Sequence, residues 1–362
     1  MTSDWSSEFP GLQTSTYLNS CAHGLLPRRA RRAIEAHLDR WEGAPDWGEW
    51  TASVDAARKA FARLIGARED EIAVQANATS GIAAVMNTVP RGRIVTLDVD
   101  FPTSGFVAQR QEARGVRHEH LRDGVPRADT WATKAKGAAL ACIPAVASFS
   151  GARLDVAGFA SRAKEMDVPL LVDGFQAVGT YPIDVRRLDV DFLVTGVYKW
   201  LMAPAGLAFL YVRRDHHARL PTTSGWYAAA DAYAFDPLGE LAPDARRYQY
   251  GGPSVVACAA LVESLAILEE QGLAAVEAHN RALIDRIIEH CHTRKLEMLT
   301  PEAPEERASI VTFRVPDLAR ALAACERGRV AVNTRLGGLR VSPHFYNTAA
   351  DVDRLFAVLD AA

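Results

Sequence analysis

Between residues 70 and 215, short apolar runs alternate with amphipathic ones. RIVTLDVD (93–100), GAALACIPAVAS (137–148), PLLVDGFQ (169–176), DFLVTGVYK (191–199) and GLAFLYV (206–212) predict strands. Several are apolar at every position, as strands covered on both faces are. FVAQRQEARG (106–115) and VAGFASRAKEMD (156–167) have helical spacing and lie between them. Such alternation predicts an α/β domain built on a mostly parallel sheet. The pattern lengthens near Pro243. SVVACAALVESLAILEEQG and AVEAHNRALIDRIIEHCH predict long amphipathic helices, with Gly272 as the stop between them. A strand SIVTFRV, a helix DLARALAACERG, a strand GLRVSPH and a last helix AADVDRLFAVLDAA complete a small α+β unit. The expected division is a large domain over 16–250 and a small domain over 251–362, with 1–15 attached to it.

Composition narrows the function. The chain has 362 residues, 49% of them apolar, and a net charge of −3. That length supplies a large core. The mildly acidic balance, without a long basic run, speaks against a nucleic-acid partner. The most apolar stretches are broken by Pro144 and Pro204 and are too short to span a bilayer. The opening MTSDWSSEFPGLQTS is polar and unlike a secretory leader. Five cysteines (Cys21, Cys142, Cys258, Cys291 and Cys325) include no Cys-x-x-Cys pair, which fits a reduced, cytoplasmic chain. The run His290–Cys291–His292 could hold a metal. It lies in helical sequence, where adjacent side chains point apart, so an ordinary helix surface is expected.

Ligands in open α/β sheets bind at the carboxyl ends of the strands. Here those ends carry ANATSG (76–81), DFPTS (100–104), PAVAS (144–148), DGFQ (173–176) and VYK (197–199). Asp173 closes a Val/Leu strand, where a carboxylate is costly unless it meets a cation or several donors. It can cap a helix, or partner a protonated pyridine nitrogen, the electron sink of pyridoxal chemistry. Gln176 could donate to a phenolate oxygen of the same ring. Lys199, between Tyr198 and Trp200, sits at the mouth of apolar sequence. It either snorkels to the surface or loses part of its basicity and becomes a nucleophile or base. The helix start at Ala78 and Thr79 caps its own turn or receives a phosphate. Phe101 packs in the core or covers a planar ring.

The order of these segments (phosphate loop, ring cover, Asp-x-x-Gln, then Lys) resembles the class V aminotransferase family of pyridoxal-phosphate enzymes, fold type I. TYLNSCAHGLLP (16–27), NATSG, VDGFQAVG, VYKWLMAPAGLAFLYV, RRYQYGGPS (246–254) and GLRVSPHFYNTAADVDRL (338–355) carry the resemblance along nearly the whole chain. It implies a large domain with a seven-stranded, mostly parallel sheet, a smaller α+β domain, and pyridoxal 5'-phosphate as cofactor. It implies that Lys199 carries the cofactor as an aldimine and that Asp173 pairs the pyridine nitrogen. Gln176 would contact the ring oxygen, Ala78, Thr79 and Tyr198 would hold the phosphate, and Phe101 would cover the ring. Arg340 would grip the substrate carboxylate. The segment around Gly252 would reach the phosphate of the neighbouring subunit, which implies a homodimer with shared sites. The family often has Gly-Thr where this chain has Gly251-Gly252, so that hydroxyl is missing here. Phe-Pro-Thr at 101–103 is similar to the kynureninase-like and isopenicillin N epimerase-like branches, and the chain as a whole resembles these and the hercynylcysteine lyase-like branch most.

The substrate implied is an amino acid. Its side chain would meet Asn19, His23, Trp226, Tyr227 or Arg335; His23 is the one imidazole in 16–27 and suits acid–base work. A cysteine desulfurase needs a mobile cysteine shortly before the substrate arginine, and GRVAVNTRLGGL has none. The expected activity is therefore a lyase, eliminating a β-substituent such as one joined through C–S, or an epimerase. A transaminase is the alternative, ahead of a desulfurase or a non-catalytic cofactor-binding protein.

Overall fold

The structure is a computed structural model and describes residues 5–44 and 46–362. Its strands are β1 (Thr16–Tyr17), β2 (Ile72–Gln75), β3 (Gly92–Leu97), β4 (Val116–Leu121), β5 (Leu140–Pro144), β6 (Leu170–Asp173), β7 (Phe192–Gly196), β8 (Ala208–Val212), β9 (Val311–Phe313), β10 (Val330–Ala331), β11 (Asn333–Arg335) and β12 (Gly338–Val341). Seven form one sheet in the order β2-β8-β7-β6-β5-β3-β4. From β4 to β7 all neighbours run parallel; β8 is antiparallel to both β7 and β2. The class V expectation of a mostly parallel seven-stranded sheet is met.

Strands β5 to β8 are buried at every position, which explains their uninterrupted apolar sequence. Successive residues alternate between two packed layers. Leu170, Val172, Leu193, Phe209 and Tyr211 face the layer built by helices Trp47–Leu64, Ala128–Ala135, Val156–Glu165 and Val255–Gln271. Leu171, Phe192, Val194, Leu210 and Val212 face the layer of helices Ala78–Met86 and Pro102–Arg110. Phe61 stacks on Phe209 with ring centroids 4.3 Å apart, both fully buried.

A second sheet, β11-β12-β9, is antiparallel. It packs with helices Leu273–Thr293, Leu318–Arg327 and Ala349–Asp360 around Leu283, Ile287, Phe313, Leu339 and Phe356. Helix Val255–Gln271 buries Ala257, Leu261 and Leu268 in the large core, whereas the helix after Gly272 buries Leu283 and Ile287 in the small one. We place the division within helix Leu273–Thr293, past the expected one at residue 250, since Val276 still packs in the large core and Leu283 in the small one. Of the segment 1–15, residues 1–4 lie outside the described residues, and Phe9 packs in the large core. β1 pairs in parallel with β10, so the chain just after it joins both units.

The Phe61–Phe209 stack joins helix Trp47–Leu64 to β8. Phe209→Ala is expected to lower stability by about 3–5 kcal/mol, read from urea unfolding. A loss below about 1 kcal/mol would show that the site collapses around the missing ring.

Candidate active site

β7 ends at Gly196, and the chain turns sharply so that Lys199 comes back across the strand ends. The turn is closed by Met202 N–H donating to Lys199 O (3.2 Å) and Ala203 N–H donating to Val197 O (3.2 Å). The segment after β1 packs directly on this turn: Gly24 N–H donates to Tyr198 O at 2.9 Å. A Cβ on Gly24 would lie 2.0 Å from Lys199 O, so only glycine permits the approach.

The Lys199 amine stands 4.2 Å from the centre of the Phe175 ring and 5.7 Å from that of Phe101. Phe175 fits because position 196 is glycine; a Cβ there would be 2.3 Å from Phe175 Cζ. Burial draws the Lys199 pKa down to about 8, against the opposing pull of Asp173 and Cys21. Neutral amine is therefore present near physiological pH, as a nucleophile or base requires.

These side chains border a cavity of about 130 Å³. At one end helix Ala78–Met86 begins. Asn77 caps it by accepting from Ser80 N–H at 2.9 Å, and Ala78 and Thr79 line the cavity with first-turn amides that the helix itself does not use. Asp173 stands at the carboxyl end of β6, with Phe101, Phe175, Tyr198 and Ser148 around the wall. An anion-binding helix start, a carboxylate, two aromatic rings and an amine suit a planar ring with a phosphate and a basic nitrogen.

Asp173 Oδ1 accepts from Phe175 N–H at 2.8 Å. Burial raises its pKa, while that hydrogen bond and Lys199 hold the rise back. A second buried carboxylate lies behind it. Asp100 accepts from Phe101 N–H (2.7 Å) and Ser104 Oγ (2.6 Å), and burial beside Asp173 pushes its pKa well up. Gln176 donates through Nε2 to Cys21 O (3.1 Å) and accepts from Trp200 Nε1 (2.9 Å), so one of its two N–H groups is already used by the protein.

Arg340 lies on β12, only 3% exposed. Its Nη1 donates to Ser148 O at 2.7 Å, and its Nε has no partner. Arg335 lies on β11 and shares electrostatic reach of Lys199 and Arg340. Asn19 bridges to Ser342, and its Oδ1 is buried without a partner. His23 is exposed and leans on the Tyr198 ring at 5.0 Å. Tyr17 donates its hydroxyl to His23 O at 2.7 Å. Trp226 is 41% exposed and lies against Phe235 and Tyr233, away from the cavity lining; Tyr227 is buried beside it. Gly252 is likewise outside the lining of its own chain's cavity. His290 and His292 bond to Asp353 (2.9 Å) and Glu302 (2.8 Å), and no metal-holding cluster occurs among the described residues.

The sequence profile described as Aminotransferase class-V matches residues 16–355. The chain belongs to the class V aminotransferase family. It is 29% identical to an uncharacterized aminotransferase, YcbU, of Bacillus subtilis, over 95% of this chain and 93% of that one. It is 30% identical to a kynureninase of Bacillus mycoides, over 96% and 88%. Among solved structures, a cysteine desulfurase of Thermococcus onnurineus superposes with a TM-score of 0.89 at 22% identity, over 99% of this chain and 97% of that one. The cystine C–S lyase C-DES superposes with a TM-score of 0.88 at 23% identity, over 97% and 98%. Those two likenesses show the fold. This is a class V enzyme, and pyridoxal 5'-phosphate is its cofactor. Once bound, the cofactor supplies the electron sink.

Sequence reasoning passed over four residues of this site. Asp100 closes an apolar strand just as Asp173 does, so its signal was available. Phe175 and Ser148 stand in segments recognised as strand ends, but their direction is set by turns. Cys21 comes to the site through a contact spanning 155 residues.

Acetylation of apo-Lys199 by trace anhydride, mapped by peptide analysis, is expected to rise with pH through a midpoint of about 8. Lowered basicity makes the reactive neutral amine available earlier, so a midpoint above about 10 would mean that the amine is solvated. Lys199→Ala should fold yet fail to give a borohydride-reducible visible band with the cofactor.

Proposed function

We propose that this class V enzyme is a lyase acting on an α-amino acid. Lys199 takes the Cα proton, the bond from Cβ to its substituent breaks, and the substituent leaves with the electron pair. The unsaturated amine left behind takes up water and ends as a 2-oxo acid and ammonia. The observation carrying the α-amino-acid part of this reading is Arg340: a guanidinium 3% exposed, with one neutral partner and a buried Nε that has none. Such a cation fits a substrate carboxylate. The charge-assisted bond is worth roughly 1.5–3 kcal/mol and orients the Cα–H bond relative to the ring.

Relatives named kynureninase, whose reaction breaks a bond at the substrate's Cβ, support bond cleavage there over epimerisation. All five cysteines are buried, and 328–339 contains none, so a mobile sulfur acceptor is not at hand. A transaminase is the second reading, favoured by the relative named an aminotransferase. The test incubates the holoenzyme with a panel of L-amino acids and cysteine conjugates and measures 2-oxo acid and ammonia. Release without any added 2-oxo acid is expected. Product that appears only with a 2-oxo acid co-substrate would make the enzyme a transaminase, and D-amino acid as sole product an epimerase.

The working form we assign is a homodimer. Segment 246–254 runs beside the sheet edge, tied by Gln249 Oε1 accepting from Val74 N–H (2.8 Å) and by Gln75 Nε2 donating to Tyr248 O (2.8 Å). Trp47, Trp226 and Phe235 nearby are 56%, 41% and 66% exposed, an apolar surface suited to a second copy. Sedimentation is expected to give a dimer; a fully active monomer would refute it. No helix among the described residues is long and apolar enough to cross a membrane.

A further inference from the structure

Arg335 and Arg340 lie on the two arms of one hairpin. Asn333 is paired with Arg340, and Arg335 follows Asn333 by two, so all three side chains share a face. That face meets the turn after β5. Arg340 Nη1 donates to Ser148 O at 2.7 Å, and the Arg335 guanidinium carbon stands 5.9 Å from the centre of the Phe149 ring. Ser148 also lines the cavity at Lys199. The partners of both guanidiniums are neutral oxygens: Ser148 O for Arg340, and Asn333 Oδ1 (3.0 Å) and Thr334 O (2.7 Å) for Arg335.

Lys199, Arg335 and Arg340 are thus three cationic groups within electrostatic reach of one another. Asp173 faces the same space, but in a pyridoxal-phosphate site it is committed to the ring nitrogen. One guanidinium suffices for an α-carboxylate, which it grips through two parallel bonds. The second guanidinium is surplus to that task, and like charges held close are costly without a counterion. We infer that Arg335 receives a second anionic group, carried on the substrate's side chain, so that the substrates are α-amino acids with an anionic β-substituent such as a sulfinate or carboxylate. The inference rests on the α-amino-acid reading above and deepens it. A sulfinate or carboxylate on Cβ can leave only as SO2 or CO2, with the bonding pair kept on Cβ and protonated there, so the role of Arg335 is to hold and orient the charged group before that bond breaks.

The test follows the visible band of the holoenzyme during titration with L-cysteine sulfinate and L-aspartate, and with L-serine and L-asparagine as neutral counterparts; turnover is measured for each. The acidic pair is expected to bind more tightly by about tenfold or more. Arg335→Gln should bring the acidic-to-neutral ratio toward one, Arg335→Lys should retain part of it, and Arg340→Gln should weaken all four ligands. Comparing sulfinate with carboxylate shows which anion the site prefers. A native enzyme that favours the neutral pair overturns the inference, whatever the variants do. So does an Arg335→Gln enzyme weakened equally toward all four, which would put both guanidiniums on the α-carboxylate. Acidic amino acids that bind but react only with an added 2-oxo acid leave the inference standing and remove the lyase reading. If no α-amino acid shifts the band, both fall.

Discussion

The amine of Lys199 stands against the faces of Phe175 and Phe101 at the end of a strand buried along its whole length, and burial draws its pKa down to about 8. A hydrated ammonium resists such a place. The surroundings make it tolerable: aromatic faces attract the cation when it is charged, and Asp173 is close enough to oppose the loss of charge. Much nearby sequence serves this arrangement. Gly196 leaves room for Phe175, and Gly24 lets the amino-terminal segment close over the lysine turn. The result is an amine neutral often enough to react, yet held in one place.

Electrostatic pressure around that amine is arranged in two zones. On the Asp173 side, two buried carboxylates lie together, and Asp173 disfavours the charge of Asp100. Ser104 and Phe101 N–H hold Asp100, and the same bond fixes the start of the Phe101 turn, so the group that crowds Asp173 also sets the aromatic wall. On the opposite side, Arg335 and Arg340 form a cationic rim whose partners in the protein are neutral. A molecule with a basic ring nitrogen at one end and anionic groups at the other relieves both zones at once.

How far the sequence foretold this depends on the range of the contacts. β5 to β8 were legible because burial on both faces writes itself as continuous apolar sequence. Helix Arg28–Gly43 was not: among its sixteen residues only Ala30 and His37 are buried, and RRARRAIEAHLDRWEG has no broad apolar stripe. β4 is an edge strand whose VRHEHL shows few apolar positions. Lys199 and Asp173 could be read from the clash between a charge and its apolar flanks. Phe175 could not be given its role that way, since an aromatic in apolar sequence carries no such clash. Trp226 is a case in which one chain does not decide between two readings. Its flanks suit a pocket wall or a dimer interface, and folding places it with Phe235 and Tyr233 on the surface of a single chain, where a second copy can reach it.

The segment just after β1 explains how the two zones act as one site. Asn19 bridges to Ser342, and Cys21 N–H donates to Ser342 Oγ at 3.0 Å, two residues beyond Arg340 on the small domain. On the large domain, Cys21 O accepts from Gln176, three residues beyond Asp173, and Gly24 N–H donates to Tyr198 O beside Lys199. Six residues therefore fasten the arginine strand to the aspartate strand and to the lysine turn. Because each contact is made by backbone or by a buried side chain, little slack separates the anion grip from the amine. Proton abstraction needs reacting atoms held within about 3–3.5 Å in a fixed orientation. A guanidinium on a separate sheet can supply that only if its sheet is bound firmly to the one carrying the base, and the strap from Asn19 to Gly24 is the covalent path along which the binding is made.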